Sequence, residues 1–265
     1  AGIVCPAVVA SQQSPARDRR WLLKPRAGAG GAGIRIWDEH SVPRVTARYY
    51  LQEYIDEDSY SALYLGDSQH VRLLGVTRQL IGLDWLHASP FHYCGSIGPC
   101  ILGPALQPQL HRIGEVLTNG AGLRGLFGVD YVLAGEEPWP VEVNPRYTAS
   151  VEILEHALGV CALALHGRVF DPSLHPRSET TPVRVKVLGK AILFARDDLV
   201  VPADAPWRVQ GCEKVPSFAD IPAVGQTIAR GRPVLTLFAA ADSMTACEEA
   251  LRQTARDLDR CLFGR

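Results

Sequence analysis

Apolar and polar positions alternate with the two-residue period of extended chain in several short stretches, and two others switch to helical spacing. Trp21-Leu22-Leu23-Lys24 reads as a strand stopped by Pro25, and Ile34-Arg35-Ile36-Trp37 as its return. Between them, residues 27–33 contain only glycine and alanine. Tyr49-Tyr50-Leu51-Gln52-Glu53-Tyr54-Ile55 predicts a further strand that runs into the acidic turn Asp56-Glu57-Asp58. Alternation resumes at Ser61–Leu65 and Val71–Thr77, with Gly66-Asp67 as a hairpin signal between them.

Leu110, Ile113 and Leu117 place a helix over Pro108–Thr118, ended by Gly120 to Gly122. Leu126–Leu133 and Trp139–Val143 predict two strands joined by Ala134-Gly135-Glu136-Glu137. Ser150–Leu165 predicts one long amphipathic helix, with Thr148 or Ser150 as N-cap. Tyr93, Cys94 and Ser96 fall in a glycine-punctuated stretch that reads as a turn, either a plain loop or the lining of a substrate pocket. Toward the C-terminus, Val183–Phe194 alternates like a strand or hairpin. Connections rich in proline (Pro202, Pro206, Pro216, Pro222) follow, then a strand at Val234–Ala239 and a helix from about Ser243 to Leu262. The charged stretch Glu248–Arg260 reads as a solvated helix face.

The pattern divides the chain into residues 1–20, a linker or a shortened N-terminal remnant, a core at 21–167, and a smaller α+β region at 168–265. The fold class is α+β. The 47% hydrophobic and 21% charged fractions belong to a globular chain with no disorder signature. A net charge of −1 gives no reason to expect nucleic acid or an anionic membrane as partner. The apolar runs, such as Val129–Leu133 and Ala191–Ala195, are far shorter than the ~20 residues that span a bilayer. Seven scattered cysteines without a CxxC pair argue against a zinc ribbon or a disulfide framework and predict reduced thiols in the cytoplasm. The N-terminus lacks the basic stretch and apolar core of a signal peptide, and position 1 is not Met, which predicts that the start is missing.

Candidate chemistry comes from two places. A loop without β-carbons lets backbone N–H groups close over phosphates, and Lys24 beside it supplies a compact positive charge. Gly28, Gly30 and Gly33 fit GxGxxG by letters, with Gly31 between, but a strand rather than a helix follows, so neither a dinucleotide fingerprint nor a Walker A motif is present. A ligand-free surface hairpin is the plain alternative. In the second place, Glu142 and Asn144 are two apart on a strand and share a face, and Asp130 joins them if its strand is the neighbour. Two carboxylates and an amide oxygen suit magnesium, and Arg146 suits a phosphate or carboxylate. The plain alternative is the wet face of an antiparallel sheet.

In this order, WLLKP with the glycine loop, YLQEYI, GVDYVL and PVEVNPR resemble the motifs of the ATP-grasp superfamily over about residues 20–165. The resemblance implies an ATP-grasp fold, two α+β subdomains clasping ATP. It implies that Lys24 meets the phosphates and that the loop with Gly28, Gly30, Gly31 and Gly33 closes over them. Gln52, Glu53, Tyr54 and Ile55 would meet adenine, through the Glu53 acid and the adjoining backbone. Asp130, Glu142 and Asn144 would hold magnesium, with manganese as an alternative ion, and Arg146 and Lys24 would act on the transferred phosphate.

Some members carry a ribose-binding glutamate after the adenine strand, where this chain has Asp56, Glu57, Asp58 and Ser59. Some peptide-ligase members carry arginine two residues before the metal-binding acid, where this chain has Gly128, and nearby Arg124 is no automatic substitute. The family's usual N-terminal domain and second lysine strand do not fit within the first twenty residues. This predicts a fragment or a shortened form completed by a homodimer or by another partner.

The implied reaction is ATP-dependent joining of a small-molecule carboxylate, with glutamate expected, to an amine through an acyl phosphate. The segments PWPVEVNPRYTASVE and YCGSIGP look most like a group from C1-carrier (tetrahydromethanopterin and methanofuran-type) biosynthesis that is similar to tyramine–glutamate ligases. Activation of bicarbonate, as in carbamoyl-phosphate synthases and carboxylases, is the second reading, and an ATP-binding subunit without turnover the third. Gln79 and Arg78 read equally as ligand-facing or strand-edge residues. Cys94 reads as a buried inert thiol, and His87, His92 and His111 lack zinc spacing.

Overall fold

Two antiparallel sheets carry most of the chain. The computed structural model describes residues 2–9, 15–38, 47–174, 187–205, 207 and 215–264. Residues 10–14 of the expected linker, 183–186 of the expected strand, Pro206 and Cys212 lie outside these.

The smaller sheet contains β1 (Val8–Val9), β2 (Trp21–Pro25), β3 (Arg35–Ile36) and β4 (Tyr49–Glu53), in the order β1-β4-β2-β3. The larger contains β5 (Ser59–Gly66), β6 (Val71–Ile81), β7 (Tyr93–Gly98), β8 (Gly125–Ala134), β9 (Glu137–Asn144) and β10 (Val187–Phe194). After β11 (Leu199–Val200), the short β12 (Phe218–Ala219) joins the same sheet, β13 (Thr227–Ile228) pairs with β11, and β14 (Pro233–Ala241) completes it. The strand order is β12-β14-β10-β7-β6-β5-β8-β9, so pairing passes without a break from residues 59–144 to residues 187–241.

β7 corrects the turn expected at 93–98. It is a central strand, paired with β6 on one side and β10 on the other. Its glycines serve close approach. A Cβ on Gly95 would lie 2.2 Å from the Lys190 carbonyl oxygen, and one on Gly98 would lie 2.8 Å from Thr77 Cγ2. Glycine inside a strand marks either a bend or tight packing, and here it is packing.

Side-chain alternation sets the two faces. Neighbours Leu63 and Tyr64 on β5 enter different clusters, Leu63 with Val151 and Leu154, and Tyr64 with Leu110 and Ile113. The second face is covered by α1 (Leu106–Ala121). The first is covered by α2 (Ala149–Leu158) and α3 (Ala162–Phe170). The single helix expected over 150–165 is thus two, because Gly159 caps α2 in the left-handed conformation at φ 64° and the chain turns by 102°. Thr148 is the N-cap residue of α2 by position, without a side-chain capping bond.

α4 (Met244–Phe263) packs on β7, β10 and β14. Ser243 caps it by accepting from the Ala246 N–H at 3.2 Å. Cys247, Leu251, Ala255 and Leu258 are spaced to share one stripe and are buried, each large apolar side chain contributing roughly 1.5–3 kcal/mol. The expected solvated stretch is therefore only partly so: the Glu248 carboxylate leaves the solvent face to pair with Arg78 and with Arg252. Among the described residues, no single helix is long and apolar enough to cross a membrane.

Candidate active site

The α2 face of the large sheet carries a polar row where apolar residues would be expected. Ser61 lies two positions before Leu63 and so shares its face, and in register Ser61 opposes Asp130, which opposes Glu142. Asn144, two residues on, opposes Gly128 and lies on the same side. Asp130, Glu142 and Asn144 therefore come together on one face of neighbouring strands.

A bulge after Asp130 leaves Val141 outside the regular pairing, and its carbonyl accepts from Gln52 Nε2 at 3.2 Å. Gln52 belongs to β4 of the smaller sheet, so this bond joins the two sheets across a cleft of about 750 Å³. On β2, Lys24 shares the face of Gln52 and donates to its Oε1 at 3.0 Å. Lys24 is 8% exposed. Burial lowers its pKa, against the opposing charges of Glu142 and Asp130.

Gly30 and Gly31 roof the cleft. The Gly30 carbonyl accepts from the Tyr93 N–H at 3.0 Å, and Gly31, at φ 81°, lies so close to the main body that a Cβ there would be 1.8 Å from the Phe91 carbonyl oxygen. Gly28 and Gly33 are not in the lining; a Cβ on either would point at the Pro25 ring. Residues 52–55 form a further stretch of the cleft wall. Within it the Glu53 carboxylate accepts from the Ala7 N–H at 3.0 Å and from Arg19 at 3.1 Å, fastening the N-terminal segment to β4. Tyr54 meets Phe91 edge-on, with ring centroids 6.0 Å apart.

At the carboxylate cluster, Asn144 Nδ2 donates to Asp130 Oδ2 at 3.1 Å, and Arg146 donates to Asn144 Oδ1 at 3.0 Å. Gln79 Nε2 donates to the other Asp130 oxygen at 3.0 Å. Gln79 sits on an inner strand, which removes the strand-edge alternative. Arg78, its neighbour in sequence, pairs with Glu248, and both of these residues line the cleft as well.

Burial, with Glu142 facing it, pushes the Asp130 carboxyl up to about 6, while bonds from Ser61 and Asn144 and the Lys24 charge pull the other way. A half-buried Asp130 carboxylate with incomplete compensation, facing the exposed Glu142 carboxylate and beside an amide oxygen, is a donor set that a hard divalent cation fits. Among the described residues no three His, Cys, Asp or Glu side chains gather as a metal cluster, and the Asn144 Oδ1, which accepts from Arg146, is the amide oxygen beside the two carboxylates.

Several hydroxyls outside the expected site residues line the cleft. Thr148 and Ser150 of the α2 start lie 2.9 Å apart, and Ser150 lies 3.4 Å from Ser61. Beyond them, Lys190 on β10 is nearly buried and donates to Glu152 of α2 at 2.8 Å. A polar residue inside an otherwise apolar strand, as in SYSALYL, was the available signal for Ser61. Tyr93 and Ser96 join hydroxyls at 2.8 Å and line the cleft, whereas the Cys94 thiol is buried in the core and pushed up to about 11 by that burial. His87 and His111 pair with Asp259 and Glu115.

The sequence profile of the ATP-grasp domain matches residues 1–150. An uncharacterized protein of Methanocaldococcus jannaschii is 26% identical over 223 residues, covering 82% of this chain and 50% of that protein. The chain thus spans half the length of this curated relative. An L-amino acid ligase of Bacillus licheniformis superimposes with a TM-score of 0.66, covering 98% of this chain and 68% of its own at 17% identity. The biotin carboxylase domain of Hydrogenobacter thermophilus 2-oxoglutarate carboxylase, solved with MgADP and bicarbonate, gives a TM-score of 0.62 over 88% of this chain and 56% of that one, also at 17% identity. The two solved structures speak for the α+β fold; the profile match covers more than half of the sequence, and the chain belongs to the ATP-grasp domain family.

Proposed function

We propose that the chain supplies the ATP-binding and catalytic part of a ligase that joins a small-molecule carboxylate to an amine. The observation that carries this reading is the convergence of Asp130, Glu142 and Asn144 opposite Lys24, beneath the Gly30–Gly31 roof. Asp130, Glu142 and the Asn144 amide would hold magnesium, which when bound offsets phosphate charge and steers the transferred phosphoryl group. Lys24 and Arg146 place positive charge beside the phosphates, and the 52–55 wall receives the adenine. The substrate carboxylate attacks the γ-phosphorus, the bond to ADP breaks, and an acyl phosphate forms. The amine nitrogen then attacks the acyl carbon, inorganic phosphate leaves, and the nitrogen gives up a proton. The buried Lys24 acts in a medium less screening than water.

A narrower reading takes glutamate as the carboxylate and a tyramine-like amine, in C1-carrier biosynthesis, on the strength of PWPVEVNPRYTASVE and YCGSIGP. A cytoplasmic setting accords with six free cysteines among the described residues. Because the chain spans half of its M. jannaschii relative, a partner or further segment completing the cleft belongs to the same proposal.

The test is ADP release with magnesium and ATP, screened over amino acids, amines and bicarbonate. Release should require a carboxylate–amine pair, and Glu142→Gln and Asn144→Ala should each cut it by roughly 100-fold or more, with unchanged melting curves. Wild-type rates in both variants would overturn the assignment. The second reading, bicarbonate activation, draws on the bicarbonate-bound relative of the same fold. Strict dependence on bicarbonate would favour it. Nucleotide binding without ADP release from any pair would favour a non-catalytic subunit.

A further inference from the structure

Gln79 has a task that the motifs around it do not describe. It lies on β6, and β5 separates β6 from Asp130 on β8. The amide must therefore reach across a whole strand. Ser61, small and 2% exposed, opposes Asp130 on one side and Thr77 of β6 on the other, and its hydroxyl also bonds Asp130. Gln79 lies two residues beyond Thr77, so its amide reaches diagonally past Ser61. Its Nε2 takes one carboxylate oxygen at 3.0 Å, while Asn144 takes the other at 3.1 Å.

An aspartate in a half-buried site near a lysine has a competing arrangement, in which it turns toward the ammonium. Lys24 is close enough to influence its ionisation. Two amide donors on its two oxygens, supplied by strands on opposite sides, fix the plane of the carboxylate instead. We propose that Gln79 is a positioning residue, which holds Asp130 facing Glu142 so that the pair is preorganised for a divalent cation. This rests on the reading that Asp130 and Glu142 hold that cation. Groups that orient a metal ligand from behind typically change metal affinity by 10–100-fold when removed.

The experiment is a Mn2+ titration of the full chain, alone and with ADP, comparing wild type with Gln79→Ala, Gln79→Met, Asp130→Asn and the double variant Gln79→Ala/Asp130→Asn. Melting curves and metal-free ADP binding serve as controls. Gln79→Met keeps the length and bulk of the side chain but has no N–H, so it separates the hydrogen bond from packing. Both Gln79 variants should weaken Mn2+ binding about 10-fold or more, leave metal-free ADP binding unchanged, and add little in the Asp130→Asn background. Wild-type Mn2+ affinity in Gln79→Met overturns the inference, and so does a full additional loss in the double variant, which would mean that Gln79 acts independently of Asp130. Wild-type Mn2+ affinity in Asp130→Asn sinks instead the metal reading on which the inference rests.

Discussion

Asp130 is costly to keep ionised in this fold, and that has a measurable sign. Its carboxyl is pushed up to about 6 from the model-peptide value of 3.8. Between those values the unfolded chain has released the proton and the native chain still holds it, so native stability falls as pH rises through this window. The size is on the order of 3 kcal/mol at most. Urea unfolding at pH 4 and pH 7 should therefore show a larger loss in wild type than in Asp130→Asn, by up to about that amount. Parallel profiles for the two proteins would contradict the burial argument. Magnesium at pH 7 should recover part of the difference, since a ligand that binds only the native state stabilises it.

Other residues show how far a single position can be read. That Glu142 and Asn144 share a face was legible because strand spacing fixes it, and Lys24 stood out by its place at a strand end beside the glycine loop. The destination of the Glu53 carboxylate was not, since its partners Ala7 and Arg19 lie 46 and 34 residues away in sequence. Gln79 carried the same ambiguity until the strand order was known.

At the scale of elements, the glycine loop and the 90–93 segment behave as one device. Gly31 presses on the Phe91 carbonyl, and Phe91 itself sits at φ 64°, a conformation unusual for a bulky side chain. Gly31→Ala would place its Cβ 1.8 Å from that oxygen and would force φ 81° on a residue with a side chain. The expected result is a roof that no longer docks: faster proteolysis within 27–33 and ATP binding weakened about 10-fold, a loss of about 1.4 kcal/mol, with the melting temperature nearly unchanged. Unaltered cleavage and affinity would show that the roof does not depend on this contact. β7 has a related origin, because the glycines that made its sequence look like a turn are what allow β6 and β10 to approach it.

For the whole molecule, the decisive feature is that the large sheet crosses the expected boundary at residue 167. β10 supplies the neighbour of β7, and α4 covers Ile97 and Cys94 from one side. A chain ending at residue 167 should expose the edge of β7 and a torn apolar face, and should be recovered aggregated or without near-ultraviolet circular dichroism. A soluble, cooperatively melting truncation would overturn this expectation.

Local periodicity determined most strand and helix positions, the α+β class, and the ordered motifs that gather at the cleft, because these depend on neighbours a few residues apart. The break at Gly159, the strand at 93–98, the bond from Gln52 to the bulged Val141 and the reach of Gln79 over Ser61 were decided only when distant strands took their places. A one-dimensional pattern gives the side of a strand on which a group lies; the strand order of the sheet, set by burial of both its faces, gives what that group meets.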